Sequence, residues 1–406
     1  MGGLDTFALG ERAEAMIKAL APISAEPGRL VRLFLSPEHR RAADQVAQWM
    51  REAGMTVSED ALGTLRGRIG DGPRLLIGSH LDSVVDGGNY DGPFGVVAGI
   101  LSVAHFGGRP PVPIDVLAFG DEEGSRFPST LSSSAACAGV FEHETLALAD
   151  RSGVTFAEAL KAYGKNVNEI PKCAYKHEEA LGYVELHIEQ GPQLEMENQP
   201  LGVVTGIVGQ SRFRVVVTGE AGHAGTVPMN MRRDALAGSA EMTLAAERIG
   251  KAGYQMVATV GRIEATPGAT NIIPGRVVFT VDLRCMDDDA RKSAVAQFEQ
   301  EALRIAAVRN LGVAFEHFHA VDATPCDEKM QDMLAAAIGN VGGRALRLPS
   351  GAGHDAQMMA RLCPSAMMFV RCRGGVSHNP AEFCSPADMG IAVAALIRFI
   401  EGFRRS

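Results

Sequence analysis

The chain lacks any stretch of about 18 uninterrupted apolar residues, which excludes a membrane-spanning helix. Its N-terminal segment, MGGLDTFALGERAEAMIKAL, sets acids and a base where a signal peptide needs its apolar run. There is no Lys/Arg-rich run and the net charge is −9, so neither a nucleic-acid backbone nor an anionic membrane surface is expected as a partner. Cysteine is sparse. The seven residues are odd in number and scattered, and none forms a CxxC pair, the usage of a reduced, cytoplasmic chain rather than of a disulfide framework. No internal repeat is present, and the 46 glycines are dispersed, so they mark turns and not a low-complexity segment.

What remains is a chain of 406 residues, 46% of them hydrophobic, enough for one large core and a second smaller one. From Glu38 to Ala53 the apolar residues Ala42, Ala43, Val46, Trp49, Met50 and Ala53 follow the helical repeat, between Pro37 and Gly54. LLIGS (75–79) and IDVLAFG (114–120) read as buried strands, and the Gly/Ala/Val-rich stretch 95–105 between them reads as a helix. Strand, helix, strand implies a parallel unit. The character changes after Gly209: RFRVVVTGE, QMVATVGRIEA, RVVFTVDLR and VAFEHFHA are strand-like, and helical patterns at 233–251 and 289–309 are interleaved with them. This predicts an α+β domain over 211–327, inserted into a catalytic domain built from 1–210 and 328–406. A helix at 327–341, the strand AMMFV (366–370) and a closing helix from Ala387 complete the latter.

Five short motifs each carry a metal-coordinating side chain where a buried strand would end: His80 in GSHLDSV, Asp91 in NYDGPFGV, Glu123 in DEEGSRF, His187 in ELHIEQGP and His378 in SHNPAEF. Any one of these histidines alone reads as a satisfied core or surface imidazole. The set reads as a site, because in an open α/β sheet ligands distant in sequence meet beyond the carboxyl ends of the strands. Without thiolates, imidazole and carboxylate suit Zn, Mn or Co, and two such ions about 3.5–4 Å apart share a bridging carboxylate and a water. Asp91 is the bridge in this reading, with His80 and His187 on one ion and Glu123 and His378 on the other. Glu122, beside a ligand but not needed as one, is left as the general base. Two adjacent acids at a buried strand end repel unless cations compensate them, which argues against a plain solvated carboxylate. Asp82 is either a turn-forming residue or the partner that fixes the His80 tautomer. His317 and His319 alternate on an expected strand and so would share a face, but no acid accompanies them. His39, His105, His143 and His177 have no supporting pattern and read as structural.

Taken together, the motifs resemble those of the amidase, hydantoinase/carbamoylase branch of the M20 metallopeptidase-like superfamily, which includes N-carbamoyl-L-amino acid hydrolases, allantoate amidohydrolases and β-ureidopropionases of the yeast type. GSHLDSV, GGNYDGPFGV, DEEGSRF, ELHIEQGP, GHAGTVPM, GATNIIPG, VDLR, SGAGHDA and GGVSHNPAEF occur in that family's order and spacing, nearly end to end. The resemblance implies the same five ligands, two divalent ions per subunit and Glu122 as base. A histidine at position 187 is similar to the amidohydrolase branch, where the peptidase relatives generally carry a carboxylate. It also implies an α/β fold in which a mixed-sheet, di-metal catalytic domain carries the inserted block as a lid and dimerisation domain.

His223 in GHAGTVP resembles the family's oxyanion-stabilising histidine, while Asn271 in ATNIIPG and Arg284 in VDLR resemble clamps on the substrate's carboxylate. The planar guanidinium fork suits that role; without the family, Arg284 reads as a strand-end surface salt bridge. Gln190, Gly353 and His354 resemble contacts to the ureido group. The implied activity is hydrolysis of the carbamoyl C–N bond of a small ureido acid, an N-carbamoyl-L-amino acid or allantoate, by a hydroxide bridging two metals. The implied working unit is a homodimer in which His223, Asn271 and Arg284 reach the neighbour's metals. A metallo-exopeptidase cleaving dipeptides is the enzymatic rival, disfavoured by His187 and the ureido-contact motifs. A degenerate binding protein without turnover is disfavoured because all five ligands and the base are present.

Overall fold

The computed structural model describes residues 3–403, which divide into two compact units, 3–206 with 326–403 and 207–325. The boundaries expected at 211 and 328 lie a few residues further along the chain. Along the chain run helices α1 (Thr6–Leu20) and α2 (Pro37–Glu52), then strands β1 (Thr56–Glu59), β2 (Leu65–Ile69) and β3 (Arg74–His80). Helix α3 (Pro93–His105) leads to β4 (Ile114–Phe119), β5 (Ala180–Ile188) and β6 (Leu201–Ile207). Next come β7 (Gly209–Thr218), β8 (Gly222–His223), α4 (Ala235–Ala252), β9 (Met256–Thr266), β10 (Ile272–Ile273), β11 (Arg276–Cys285), α5 (Asp288–Arg309) and β12 (Gly312–Val321). The chain closes with α6 (Glu328–Asn340), β13 (Leu346–Ser350), β14 (Ser365–Val370) and α7 (Pro386–Gly402).

In the first unit the strand order is β1-β2-β4-β3-β5-β14-β6, with β13 also on β6. The central pairs β4/β3, β3/β5 and β5/β14 are parallel, while β1/β2, β2/β4 and β14/β6 are antiparallel. The sheet is therefore mixed, with a parallel heart. Every residue of β3, β4 and β14 is buried, which explains why apolar residues fill successive positions in them, Asp115 of β4 being held by Arg68, Arg74 and Tyr175: a strand covered on both faces has no solvent side to alternate with. Between β3 and β4, α3 is apolar nearly all round because it too is enclosed, packing on β3 and on α7. Pro93 at its first turn needs no N–H there, and Ser36 Oγ accepts the His39 N–H to start α2. Helix α1, not anticipated from the sequence, lays Leu9, Ala13, Ile17 and Leu20 inward and packs on α7.

The second unit is an antiparallel sheet in the order β12-β7-β11-β9. Phe213, Val215 and Val217 of β7 and Val277, Phe279, Val281 and Leu283 of β11 alternate inward and share one core with α4 and α5. His317 and His319 do not share a face. A bulge between them sets His317 opposite Phe213 and His319 opposite Arg212, which are successive residues and so point to opposite sides. His317 does have an acid, Glu299 of α5, 2.7 Å from its Nε2. Among the described residues no helix is long and apolar enough to cross a membrane, and all seven cysteines are free and buried.

Candidate metal centre

The parallel strands β3, β4 and β5 all deliver their carboxyl ends to one place. His80 is the last residue of β3, Glu122 and Glu123 follow β4, and His187 is the penultimate residue of β5. Asp91 and His378 do not stand at strand ends as expected: Asp91 enters from the turn before α3, and His378 from the loop eight residues past the end of β14. That turn needs Gly92. Its φ is +81°, and a Cβ there would lie 2.4 Å from the His80 ring.

Two triads result, and they share one residue. His80, Asp91 and His187 can offer ligand atoms lying within 4.8 Å of one another, and so can Asp91, Glu123 and His378. Asp91 Oδ1 is 3.6 Å from His80 Nε2 and 3.1 Å from His187 Nε2, while Oδ2 is 3.2 Å from His378 Nε2. His378 Nε2 is also 3.4 Å from Glu123 Oε2. Glu122 belongs to neither triad; its Oε2 is 3.9 Å from His80 Nε2. Asp82 is placed as a supporting group, with Oδ1 3.3 Å from His80 Nδ1 and accepting the Glu122 N–H, and Oδ2 accepting the Glu123 N–H.

The donor set fits a pair of divalent cations. His80 Nδ1 faces the Asp82 carbonyl at 3.2 Å and His187 Nδ1 faces the Ile188 carbonyl at 3.0 Å. A carbonyl only accepts, so each Nδ1 carries a proton and each ring turns Nε2 toward Asp91; burial opposes a charge on these rings, but the carboxylates around them outweigh it and raise both imidazoles, so Nε2 attracts a proton or a metal ion. Both Nε2 atoms are buried and make no hydrogen bond of acceptable geometry. Two imidazole nitrogens turned on one buried carboxylate call for a positive charge there, a proton or a metal ion.

The charges on the side chains say the same. Burial pushes Asp91 up, but three imidazoles outweigh it and hold its carboxyl well below the usual range. Burial pushes Glu122 well above the usual range, with Glu123, Asp355 and Asp91 adding to the rise and His80 opposing it. Burial and Asp91 raise Glu123 to about 7. His378 is raised to about 9, by its bond to Asp91 first and by the charges of Glu123 and Asp91.

A third cluster, Glu185, His187 and His354, has ligand types but no free carboxylate. Glu185 is fully buried and accepts from Ser79 Oγ, Tyr183 OH and the Ala356 N–H, so it forms a satisfied layer beneath His187. The motif ELHIEQGP contains the clue, since an acid two residues before His187 on an enclosed strand shares its face. His354 is also 1% exposed, with Nε2 on Ser350 Oγ at 2.8 Å and its ring edge-on to His187. A cavity of about 440 Å³ opens beside the triads, lined by Gln190, Gln193, Leu348, Phe369, Ser377 and His378 among others. Gly351 and Ala352 line it, whereas Gly353 and His354 do not. Gln190 donates Nε2 to Asp91 Oδ2 at 2.8 Å and leaves its buried Oε1 without a partner.

In the second unit the β8/β10 ladder sets His223 opposite Ile272, and the Ala224 N–H donates to the Asn271 carbonyl, so His223 and Asn271 are neighbours. His223 and Asn271 are exposed, and His223 Nδ1 accepts the Gly225 N–H. Arg284 lies on β11 with its fork on Asp282, at 2.9 and 2.8 Å, and Arg212 holds the same carboxylate from β7. His39 pairs with Tyr163 OH and His177 with the Leu362 carbonyl, while His105 and His143 lie edge-on to Phe106 and Phe141.

Residues 76–402 match the description Peptidase family M20/M25/M40. A probable allantoate deiminase from Oryza sativa subsp. japonica is 40% identical, the match covering 98% of this chain and 89% of that protein. An N-carbamoyl-L-amino acid amidohydrolase from Geobacillus stearothermophilus is 39% identical over 95% of this chain and 97% of its own. The crystal structure of an amidase of the hydantoinase/carbamoylase family from Burkholderia multivorans superposes with a TM-score of 0.91 at 34% identity, covering 96% of this chain and 97% of the other. The chain thus belongs to the hydantoinase/carbamoylase family of amidases within the M20/M25/M40 peptidases.

Proposed function

We propose that the protein is a metal-dependent amidohydrolase that cleaves the terminal carbamoyl C–N bond of a small, carboxylate-bearing ureido compound, an N-carbamoyl-L-amino acid or allantoate. The observation that carries the reading is Asp91, whose two oxygens face separate imidazole and carboxylate sets. Two divalent cations, Zn, Mn or Co, would be held by His80, His187 and Asp91 and by Glu123, His378 and Asp91, and would polarise the ureido carbonyl and acidify a water. Glu122 takes the proton of that water on its carboxylate and returns it to the departing nitrogen, so ammonia leaves and the resulting carbamate falls to carbon dioxide and an amine. Gln190 Oε1, an acceptor without a partner, suits the ureido N–H₂. Gly353 and His354 follow the cavity-lining Gly351 and Ala352 and are kept in this reading as contacts to the ureido group.

The inserted unit serves in this reading as lid and dimerisation domain. His223 stabilises charge on the ureido oxygen, and Asn271 and Arg284 clamp the substrate carboxylate, each acting on the partner subunit's site in a homodimer. The test is ammonia release from allantoate, N-carbamoyl-L-amino acids, N-carbamoyl-β-alanine and ureidoglycolate, side by side with dipeptides, in the presence of Mn, Zn or Co. Turnover of a ureido acid with none of a dipeptide is expected; the reverse would move the chain to the exopeptidases.

A further inference from the structure

Glu382, the acid of SHNPAEF, lies 291 residues from Asp91 in sequence yet touches the turn that carries it. Its Oε1 accepts the Tyr90 N–H at 2.9 Å and the Asp91 N–H at 3.1 Å. Its Oε2 lies 3.0 Å from Ser377 Oγ, and the same hydroxyl lies 2.9 Å from Asp91 Oδ2. The serine has one proton and two carboxylates to give it to. Glu382 is buried, and its carboxyl rests on the chain at Gly88, where a Cβ would stand 2.2 Å from Cδ. Any side chain at position 88 would displace the acid. A carboxyl in the protein interior is costly unless its oxygens find partners, and here Oε1 is held by the two N–H groups of the Asp91 motif while Oε2 faces the Ser377 hydroxyl, whose proton it shares with Asp91.

We infer that Glu382 is a positioning residue for the shared metal ligand: it locks the 90–91 backbone from below and, through Ser377, sets the rotation of the Asp91 carboxylate. Asp91 contributes an oxygen to each triad, so loosening it weakens both ions together. This rests on the metal-centre reading. Removal of such supporting groups around a metal ligand typically costs about 10–100-fold in metal affinity.

The experiment is calorimetric titration of Mn²⁺ into metal-stripped wild type, Glu382→Ala and Glu382→Gln, with thermal unfolding in chelator to confirm that each variant folds. Glu382→Ala should lose about 10–100-fold in affinity for both ions. Glu382→Gln keeps an acceptor for the two N–H groups and gives Ser377 a donor, freeing the serine proton for Asp91, so it should stay within about threefold of wild type. If Glu382→Ala does not fold, Ser377→Ala cuts the relay alone and should also weaken both ions. Wild-type affinity in the folded Glu382→Ala variant, or in Ser377→Ala where that replaces it, overturns the inference, as does loss of a single ion. A wild-type chain that takes up no ions sinks the metal centre itself, a result distinct from these.

Discussion

Asp82→Asn separates the support of the centre from the centre itself. The carboxylate makes three contacts at once: His80 Nδ1 at 3.3 Å, the Glu122 N–H at 3.1 Å and the Glu123 N–H at 3.2 Å. An asparagine offers one oxygen where two are needed, so one backbone N–H of the Glu122–Glu123 turn faces an amide N–H₂ instead. An orphaned donor costs about 1–3 kcal/mol, and about 1 is expected because the turn is only part-buried. For a unit of this size that corresponds to roughly 2 °C in unfolding temperature, measured in chelator. The larger effect falls on the ions. The asparagine keeps its oxygen at the Oδ1 position, where it serves both His80 and the Glu122 N–H, so His80 Nδ1 meets a neutral amide oxygen in place of a carboxylate and the imidazole becomes a weaker donor to a metal ion. A loss of about 10–100-fold in metal affinity follows, about 1.4–2.8 kcal/mol. Calorimetric Mn²⁺ titration gives the affinity and scanning calorimetry the stability. A variant that unfolds 2 °C lower, yet binds both ions as wild type does, would refute the argument that Asp82 acts through His80.

Glu122→Gln should keep both ions and bind substrate while losing on the order of 10²-fold or more in kcat; loss of metal instead would mean that Glu122 and Glu123 exchange roles. Metal uptake should release protons and strengthen with pH. Glu123, at about 7, and His378, at about 9, both sit above their ordinary values, so at pH 6 both hold protons that binding must expel. Titration in two buffers of different ionisation enthalpy reads the proton count directly, and an affinity equal at pH 6 and pH 8 would contradict it. Composite sites predict complementation: Glu122→Gln and Arg284→Ala subunits, each inactive alone, should recover roughly one quarter of wild-type activity after random exchange, since half the dimers are mixed and half their sites intact. Proven exchange with no recovery would place Arg284 at its own chain's site.

Why some of this was legible and some was not comes down to what constrains each residue. Strands β3 and β4 stand out because enclosure on both faces puts apolar residues at successive positions, as in LLIG and VLAF, and the ligands stand out because only a few side chains bind a divalent ion. Helix α1 carries the same kind of signal, with Leu9, Ala13, Ile17 and Leu20 at helical spacing, but Glu11, Arg12, Glu14 and Lys18 between them obscure so narrow a stripe. The shared face of His317 and His319 fails because alternation presumes a regular ladder, and a one-residue bulge leaves no mark in composition. The burial of His354 against His187 is not legible in SGAGHDA, because it depends on where β5 passes and not on the residues beside it. Glu382 and Glu185 show the deeper reason. Their task is to accept hydrogen bonds at a particular point in space; alternation with His187 indicates the face of Glu185, but its partners, like those of Glu382, come from distant parts of the chain. A residue chosen for what it binds chemically tolerates few replacements, whereas one chosen for where its oxygen lies tolerates any isostere with an oxygen there. Glutamine should therefore substitute for Glu382 but not for Glu123.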